Sequence, residues 1–209
     1  MFAVTFEMMA WDDETRRIMC EGVAKLQALE NMAANGERRE PRRIAARRVA
    51  APNGGARVSV SLPRFGGPQL TQLLMILFAL NILEIPRMLA RDGHVPSVYD
   101  AGVRYHREPR GCEIWRSIGM LYRLGFGDCE DIATALAAWL VIIMGENALP
   151  VWRLFNTAAG RLYHILTKRA SGKIEDACKP LGMGRENGTR NVVGRRRARR
   201  RGVPARQEA

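Results

Sequence analysis

Gly127-Asp128-Cys129-Glu130-Asp131-Ile132-Ala133-Thr134-Ala135-Leu136-Ala137-Ala138-Trp139-Leu140 decides how the rest of the chain is read. A glycine turn, an aspartate suited to capping and an Ala/Leu run predict a buried helix with Cys129 in its first turn. Backbone N–H groups at a helix start carry partial positive charge, which favours thiolate over thiol. Downstream lie His164, in Leu162-Tyr163-His164-Ile165-Leu166, and Asp176, in Lys173-Ile174-Glu175-Asp176, each on a predicted short strand. Cysteine at a helix start with histidine and aspartate on two successive strands is a workable nucleophile, base and orienter. Glu175 competes with Asp176 for the orienting role, because only one of two neighbouring strand residues faces the histidine.

The segment from Gly125 to Met183 resembles the transglutaminase-like cysteine peptidase superfamily, and a weaker likeness reaches upstream to about Val95 through Tyr105-His106-Arg107-Glu108 and Glu113-Ile114-Trp115-Arg116-Ser117. The bacterial cysteine-proteinase branch carries a motif close to Gly127-Asp128-Cys129-Glu130-Asp131, and small proteins of this kind also resemble products of tailed-phage structural gene clusters. The chain departs from the pattern after Asp176, where Ala177-Cys178-Lys179-Pro180 follows instead of proline or asparagine.

The resemblance implies an α+β class with a papain-like, transglutaminase-like core: the catalytic cysteine on a helix N-terminus, packed on a small antiparallel sheet. It implies acyl transfer, with Cys129, His164 and Asp176 as the triad. The Cys129 backbone N–H is one oxyanion donor, and Tyr105 or Trp115 is a guess at the second. Water as acceptor gives a peptidase or amidase; an amine gives a transglutaminase. The alternative is a virion structural component that keeps the fold with little activity.

Asp128, Glu130 and Asp131 surround the thiol, and negative charge there raises its pKa. In the resembled branch, matching carboxylates contribute to a calcium site, and clustered oxygens suit Ca²⁺. The competing reading is that acidic residues favour a helix N-terminus. No cofactor is otherwise required. Cys112, Cys129, Cys178 and His164 show no ligand-pair spacing, which argues against a thiol-based zinc site. Without paired spacing, Cys20, Cys112, Cys129 and Cys178 read as reduced thiols.

The net charge of +12 resolves into two segments. Residues 36–57 carry +5 and residues 185–209 carry +7, so the other 162 residues are neutral, with 17 basic and 17 acidic side chains. Arg195, Arg196, Arg197, Arg199, Arg200 and Arg201 suit phosphate backbones without sequence readout, or an acidic partner surface such as another virion protein. Compositional drift is the third reading, given 29 Arg against four Lys.

The predicted organisation is a strand and an amphipathic helix over 1–35, an Arg-rich connector over 36–57, the hydrolase domain over 58–184 and a flexible tail over 185–209. The helix runs from Asp12 to Asn35, with Ile18, Met19, Val23, Leu26, Leu29 and Met32 as its apolar set. A second helix, from Gln69 to about Arg91, is disturbed near Pro86. A third covers Glu113 to Leu124. The apolar run after Leu73 is interrupted by Asn81, Glu84 and Pro86, so no transmembrane segment is expected. No signal peptide is read at the N-terminus, and the expected location is cytoplasmic or virion-associated.

Overall fold

The computed structural model describes residues 2–49, 51, 55–63, 65–109, 113–157 and 160–184. The elements, in order, are β1 (Phe2–Met8), α1 (Asp13–Gly36), β2 (Ala45–Val49), β3 (Ala56–Leu62), α2 (Gly67–Asp92), β4 (Arg104–Tyr105), β5 (Ile114–Arg116), α3 (Ile118–Leu124), β6 (Phe126–Gly127), α4 (Cys129–Ile142), β7 (Ala148–Thr157), β8 (Gly160–Arg169) and β9 (Ile174–Glu175). The class is α+β.

The first sheet has the order β2-β3-β1-β5. Alternation in β3 sends Ala56, Val58, Val60 and Leu62 inward, opposite Val4 and Phe6 of β1. This face buries Met19 and Leu26 of α1 and Leu73, Leu74 and Leu77 of α2. The α1 stripe is rotated from the predicted one: Thr15, Met19, Gly22, Leu26, Glu30 and Ala34 are buried, while Met32 is exposed. Glu30 takes the inward position because Arg39 Nη1 and the Arg42 N–H donate to it at 2.7 and 3.1 Å.

Two sequence expectations change. Residues 45–49, inside the predicted Arg-rich connector, form an edge strand that pairs antiparallel with β3. The Gln27 side chain of α1 clips this segment, accepting from the Ile44 N–H at 2.7 Å and donating to the Arg42 carbonyl at 3.2 Å. Residues 114–116 open the predicted third helix as a strand, parallel to β1. The second predicted helix is found at nearly its predicted length: α2 spans Gly67–Asp92 with Pro86 inside it and Gly93 as a left-handed cap at φ 75°. The proline ring removes the N–H that would have met the Ile82 carbonyl. Strands from the predicted N-terminal, connector and hydrolase segments thus share one sheet.

α2 is long and apolar enough to cross a membrane by length and composition, with mean hydropathy 1.9 over its most apolar window. Half of that window is buried inside the protein, and its polar residues have internal partners. Asn81 donates to Thr134 Oγ1 at 3.1 Å and accepts from the Ile118 N–H at 2.7 Å. Glu84 accepts from the Met9 and Gly119 N–H groups, both at 3.0 Å. These bonds tie α2 to α4, to the start of α3 and to the end of β1, the position of a core helix.

α4 is buried nearly all round, through Ile132, Ala133, Ala135, Leu136, Ala137, Ala138 and Leu140. The second sheet, β7-β8-β9, is antiparallel and packs on it. Thr167 of β8 donates its hydroxyl to the Ala133 carbonyl at 3.0 Å, fixing the sheet against the helix. Cys129, the first residue of α4, therefore sits where the helix start meets the sheet.

Candidate functional site

The turn before Cys129 is held on both sides. Gly125 closes α3 in the left-handed region, and the Arg104 and His106 N–H groups donate to the Gly125 and Gly127 carbonyls at 3.0 and 2.8 Å. Gly127 is required by close approach: a Cβ there would lie 2.6 Å from Leu121 Cδ1 and 2.7 Å from Asp131 Oδ2. Asp128 caps α4, and the Asp131 carboxylate accepts the Asp128 N–H at 3.3 Å, one half of a capping box.

Asp131 leaves the predicted carboxylate cluster. Its Oδ1 accepts the Arg116 backbone N–H at 2.6 Å and its Oδ2 accepts Arg116 Nη1 at 3.1 Å, with no exposure to solvent. Arg116 also meets Glu108 Oε1 at 2.7 Å and Glu7 Oε2 at 3.5 Å, so this buried network stitches β5 to α4 and β1. The calcium set Asp128, Glu130 and Asp131 is therefore not assembled. What converges beside the thiol is Asp128 and Glu130 with the Cys129 sulfur, all within 4.8 Å of one another. Two carboxylates and a sulfur do not fit the six to eight oxygens that Ca²⁺ takes.

The Cys129 thiol donates to Glu130 Oε2 at 3.1 Å. Asp128 is 8% exposed, and its Oδ1 has no hydrogen-bond partner among the described residues. Burial, then Glu130, raises Asp128 well above the usual range; burial raises Glu130 to about 7, with Asp131 and Glu113 adding to it and a hydrogen bond from Asp128 opposing it. Burial, then Glu130 and Asp128, push the Cys129 thiol well above its ordinary value, opposed by a backbone hydrogen bond from Ile165. The helix start alone does not make a thiolate here.

β8 and the turn after β9 supply the partners. His164 is buried and pairs across β7 with Arg153. Its Nε2 lies 3.1 Å from Asp176 Oδ2, off the line of an N–H···O bond, and has no other partner among the described residues. Glu175 and Asp176 differ in their contacts. Glu175 accepts from Tyr99 Oη at 2.5 Å and Arg169 Nη1 at 3.1 Å, on the far side of the turn. Asp176 meets His164, and its Oδ1 accepts the Cys178 N–H at 3.2 Å.

Cys129, His164 and Asp176 line one cavity of about 830 Å³. Phe2, Phe65, Phe155 and Tyr163 form apolar parts of its wall; Glu108, Glu113, Asp128 and Glu130 make another part acidic. A smaller cleft of about 400 Å³ holds Cys20, and no carboxylate or imidazole among the described residues lines it. Both guesses at a second oxyanion donor, Tyr105 and Trp115, line the larger cavity, and the Trp115 indole N–H is already directed to Glu113 at 3.4 Å. The Cys129 N–H is among the first-turn donors that a helix cannot satisfy itself. Arg195, Arg196, Arg197, Arg199, Arg200, Arg201 and Cys112 lie outside the described residues.

Sequence reasoning missed Arg116 and Cys178. Arg116 reads as one of many arginines until its three carboxylate partners are seen. Cys178 reads as a plain thiol, yet it is fully buried, with its sulfur within 4.8 Å of the His164 and Asp176 ligand atoms. No protein-family model, no curated protein and no solved structure matches this chain.

Proposed function

We propose that this protein is a cysteine hydrolase of transglutaminase-like, papain-like type, cleaving a peptide or amide bond through Cys129, His164 and Asp176. The observation that carries the reading is their convergence on one cavity, with Asp176 Oδ2 3.1 Å from His164 Nε2. His164 takes the Cys129 proton, and the sulfur attacks the carbonyl carbon. The oxyanion is met by the Cys129 N–H, and the amine leaves with the proton from His164. Water then attacks the thioester, again with His164 as base, releasing the acid and restoring the thiol. Asp176 stabilises the imidazolium; its misaligned contact suits a resting site that tightens around substrate. Proton uptake by the Asp128–Glu130 pair removes the charge that opposes thiolate formation.

Even with the Asp128–Glu130 pair protonated, the cavity wall carries Glu108, Glu113 and Asp176 against Arg107 and Lys179, which favours a neutral or cationic substrate over an anionic one. An amine acceptor would fit the same wall, so amide transfer is assayed alongside hydrolysis. One observation favours the second reading, a virion structural component with weak activity: the resting thiol is held protonated against Glu130.

The experiment is iodoacetamide alkylation against pH, located by mass spectrometry, in the parent and His164→Ala proteins. Hydrolysis and amine incorporation are measured on a peptide-amide library with Cys129→Ala as control. Cys129 reacting faster than Cys20 in a His164-dependent way supports the hydrolase. A Cys129 no more reactive than the exposed Cys20, with no turnover, refutes it in favour of the structural role.

A further inference from the structure

The antiparallel return of β8 into β9, with Thr167 opposite Glu175, folds the chain so that residues twelve and fourteen positions beyond His164 come back beside it. The ligand atoms of His164, Asp176 and Cys178 then lie within 4.8 Å of one another. No short motif spacing encodes this trio, because the hairpin, not a local turn, closes it.

His164 is 8% exposed, and its Nε2 is a buried polar atom without a hydrogen-bond partner among the described residues. It approaches Asp176 Oδ2 to 3.1 Å, yet the pair is misaligned for a proton between them. A proton must lie close to the N···O line. A metal ion sits off that line, at the apex of a triangle whose third corner is a further ligand, and Cys178 Sγ supplies that corner.

We propose that His164, Asp176 and Cys178 form a three-ligand site for Zn²⁺, and that zinc there reversibly silences Cys129. The silencing rests on the hydrolase reading; the metal site does not. Imidazole nitrogen, carboxylate oxygen and thiolate sulfur are the zinc donor set. Tetrahedral zinc bonds of about 2.0–2.3 Å place ligand atoms roughly 3.3–3.8 Å apart. Side-chain movements on the order of half an ångström therefore close the trio around the ion.

His164 and Asp176 line the cavity while Cys178 lies behind them, so the ion enters from the cavity and its fourth position, for water, opens towards it. Lys179 Nζ, 3.5 Å from Asp176 Oδ2, opposes the cation weakly, since its side chain is 72% exposed and free to swing away. As the Zn–S bond forms, the Cys178 S–H proton passes to solvent, so binding releases a proton and strengthens with rising pH. Zinc occupies the His164 lone pair and screens Asp176, and Cys129 loses its base.

The test uses the full chain, titrated with Zn²⁺ by calorimetry and with Co²⁺ by absorption, in the parent and in Cys178→Ser, His164→Ala and Cys129→Ala. The expected result is one equivalent of zinc per chain and a thiolate-to-cobalt charge-transfer band. Cys178→Ser and His164→Ala each lower affinity by at least about a hundredfold and remove the band, while Cys129→Ala keeps both. Circular dichroism checks that Cys178→Ser folds, and His164→Ala serves as the independent variant if it does not. Binding that survives Cys178→Ser and is lost in Cys129→Ala overturns the site, placing the metal on Asp128, Cys129 and Glu130. Micromolar zinc should also suppress Cys129 alkylation in the parent but not in Cys178→Ser. If Cys129 alkylation depends on His164 yet no zinc binds, this inference fails and the triad stands. If zinc binds as expected yet Cys129 is inert after chelation, the triad fails and the metal site stands.

Discussion

Replacing Glu130 by glutamine removes the acceptor charge nearest the Cys129 sulfur while keeping a side chain of the same shape. Glu130 Oε2 lies 3.1 Å from Cys129 Sγ, and Glu130 is 6% exposed. At an effective dielectric of about 20, unit charges at that distance interact by roughly 5 kcal/mol. Even a quarter of this, about 1.4 kcal/mol, is one pKa unit and a tenfold change in thiolate population. The effect has a pH window. Because Glu130 titrates at about 7, it is neutral below that value and charged above it. Glu130→Gln should therefore alkylate at Cys129 about tenfold faster than the parent above pH 8, with the two profiles converging below pH 6.

Stability should follow the same group. Its folded pKa lies above the ordinary 4.5, so the native state holds the proton more tightly, and stability falls as pH rises from about 4.5 to 7. The glutamine variant lacks that loss and should gain up to about 3 kcal/mol on the parent across the window, read by urea denaturation at several pH values. Superimposable alkylation profiles, together with a pH-independent stability difference, would refute the assignment of Glu130 as the group that holds the thiol protonated.

Two further outcomes follow from the packing around the site. Arg116→Met leaves the fully buried Asp131, along with Glu108 and Glu7, without their shared cation, and should cost about 3–5 kcal/mol in urea denaturation; a loss below about 1 kcal/mol would show that the network is not structural. Gly127→Ala drives a methyl against Leu121 and Asp131 and should cost about 1–3 kcal/mol in thermal melts, with Cys129 reactivity altered as the turn shifts; an unchanged melt would contradict the close approach.

The start of α4 was legible because its signals are local. A glycine turn, an aspartate cap and an Ala/Leu run act within a few residues, and they place Cys129 at the helix start in both sequence and structure. The β7–β8 strands were legible for the same reason, through short aromatic and β-branched runs. β2 was not, since an edge strand with its side chains mostly in solvent shows no apolar alternation, and only its backbone pairing to β3 defines it. Arg47 and Arg48, which made the segment read as a connector, are the charges that keep such an edge from pairing further. β5 was misread because three residues cannot display a period, and its parallel partner β1 lies more than a hundred positions away.

By itself, then, the sequence determined the cysteine at a helix N-terminus, the candidate histidine on a short strand and the segregation of positive charge into two arginine-rich segments, while the α+β class was implied by the family resemblance. Composition and short-range periodicity carry the first three properties. Tertiary structure alone decided the division of labour among neighbouring like residues: Asp131 to Arg116, Glu130 to the thiol, Glu175 to Tyr99 and Arg169, Asp176 to His164. Adjacent carboxylates are chemically equivalent along the chain. They become different only when folding buries each to its own depth and turns it towards partners that lie far away in sequence, and the same chain reversal brings Cys178 to His164.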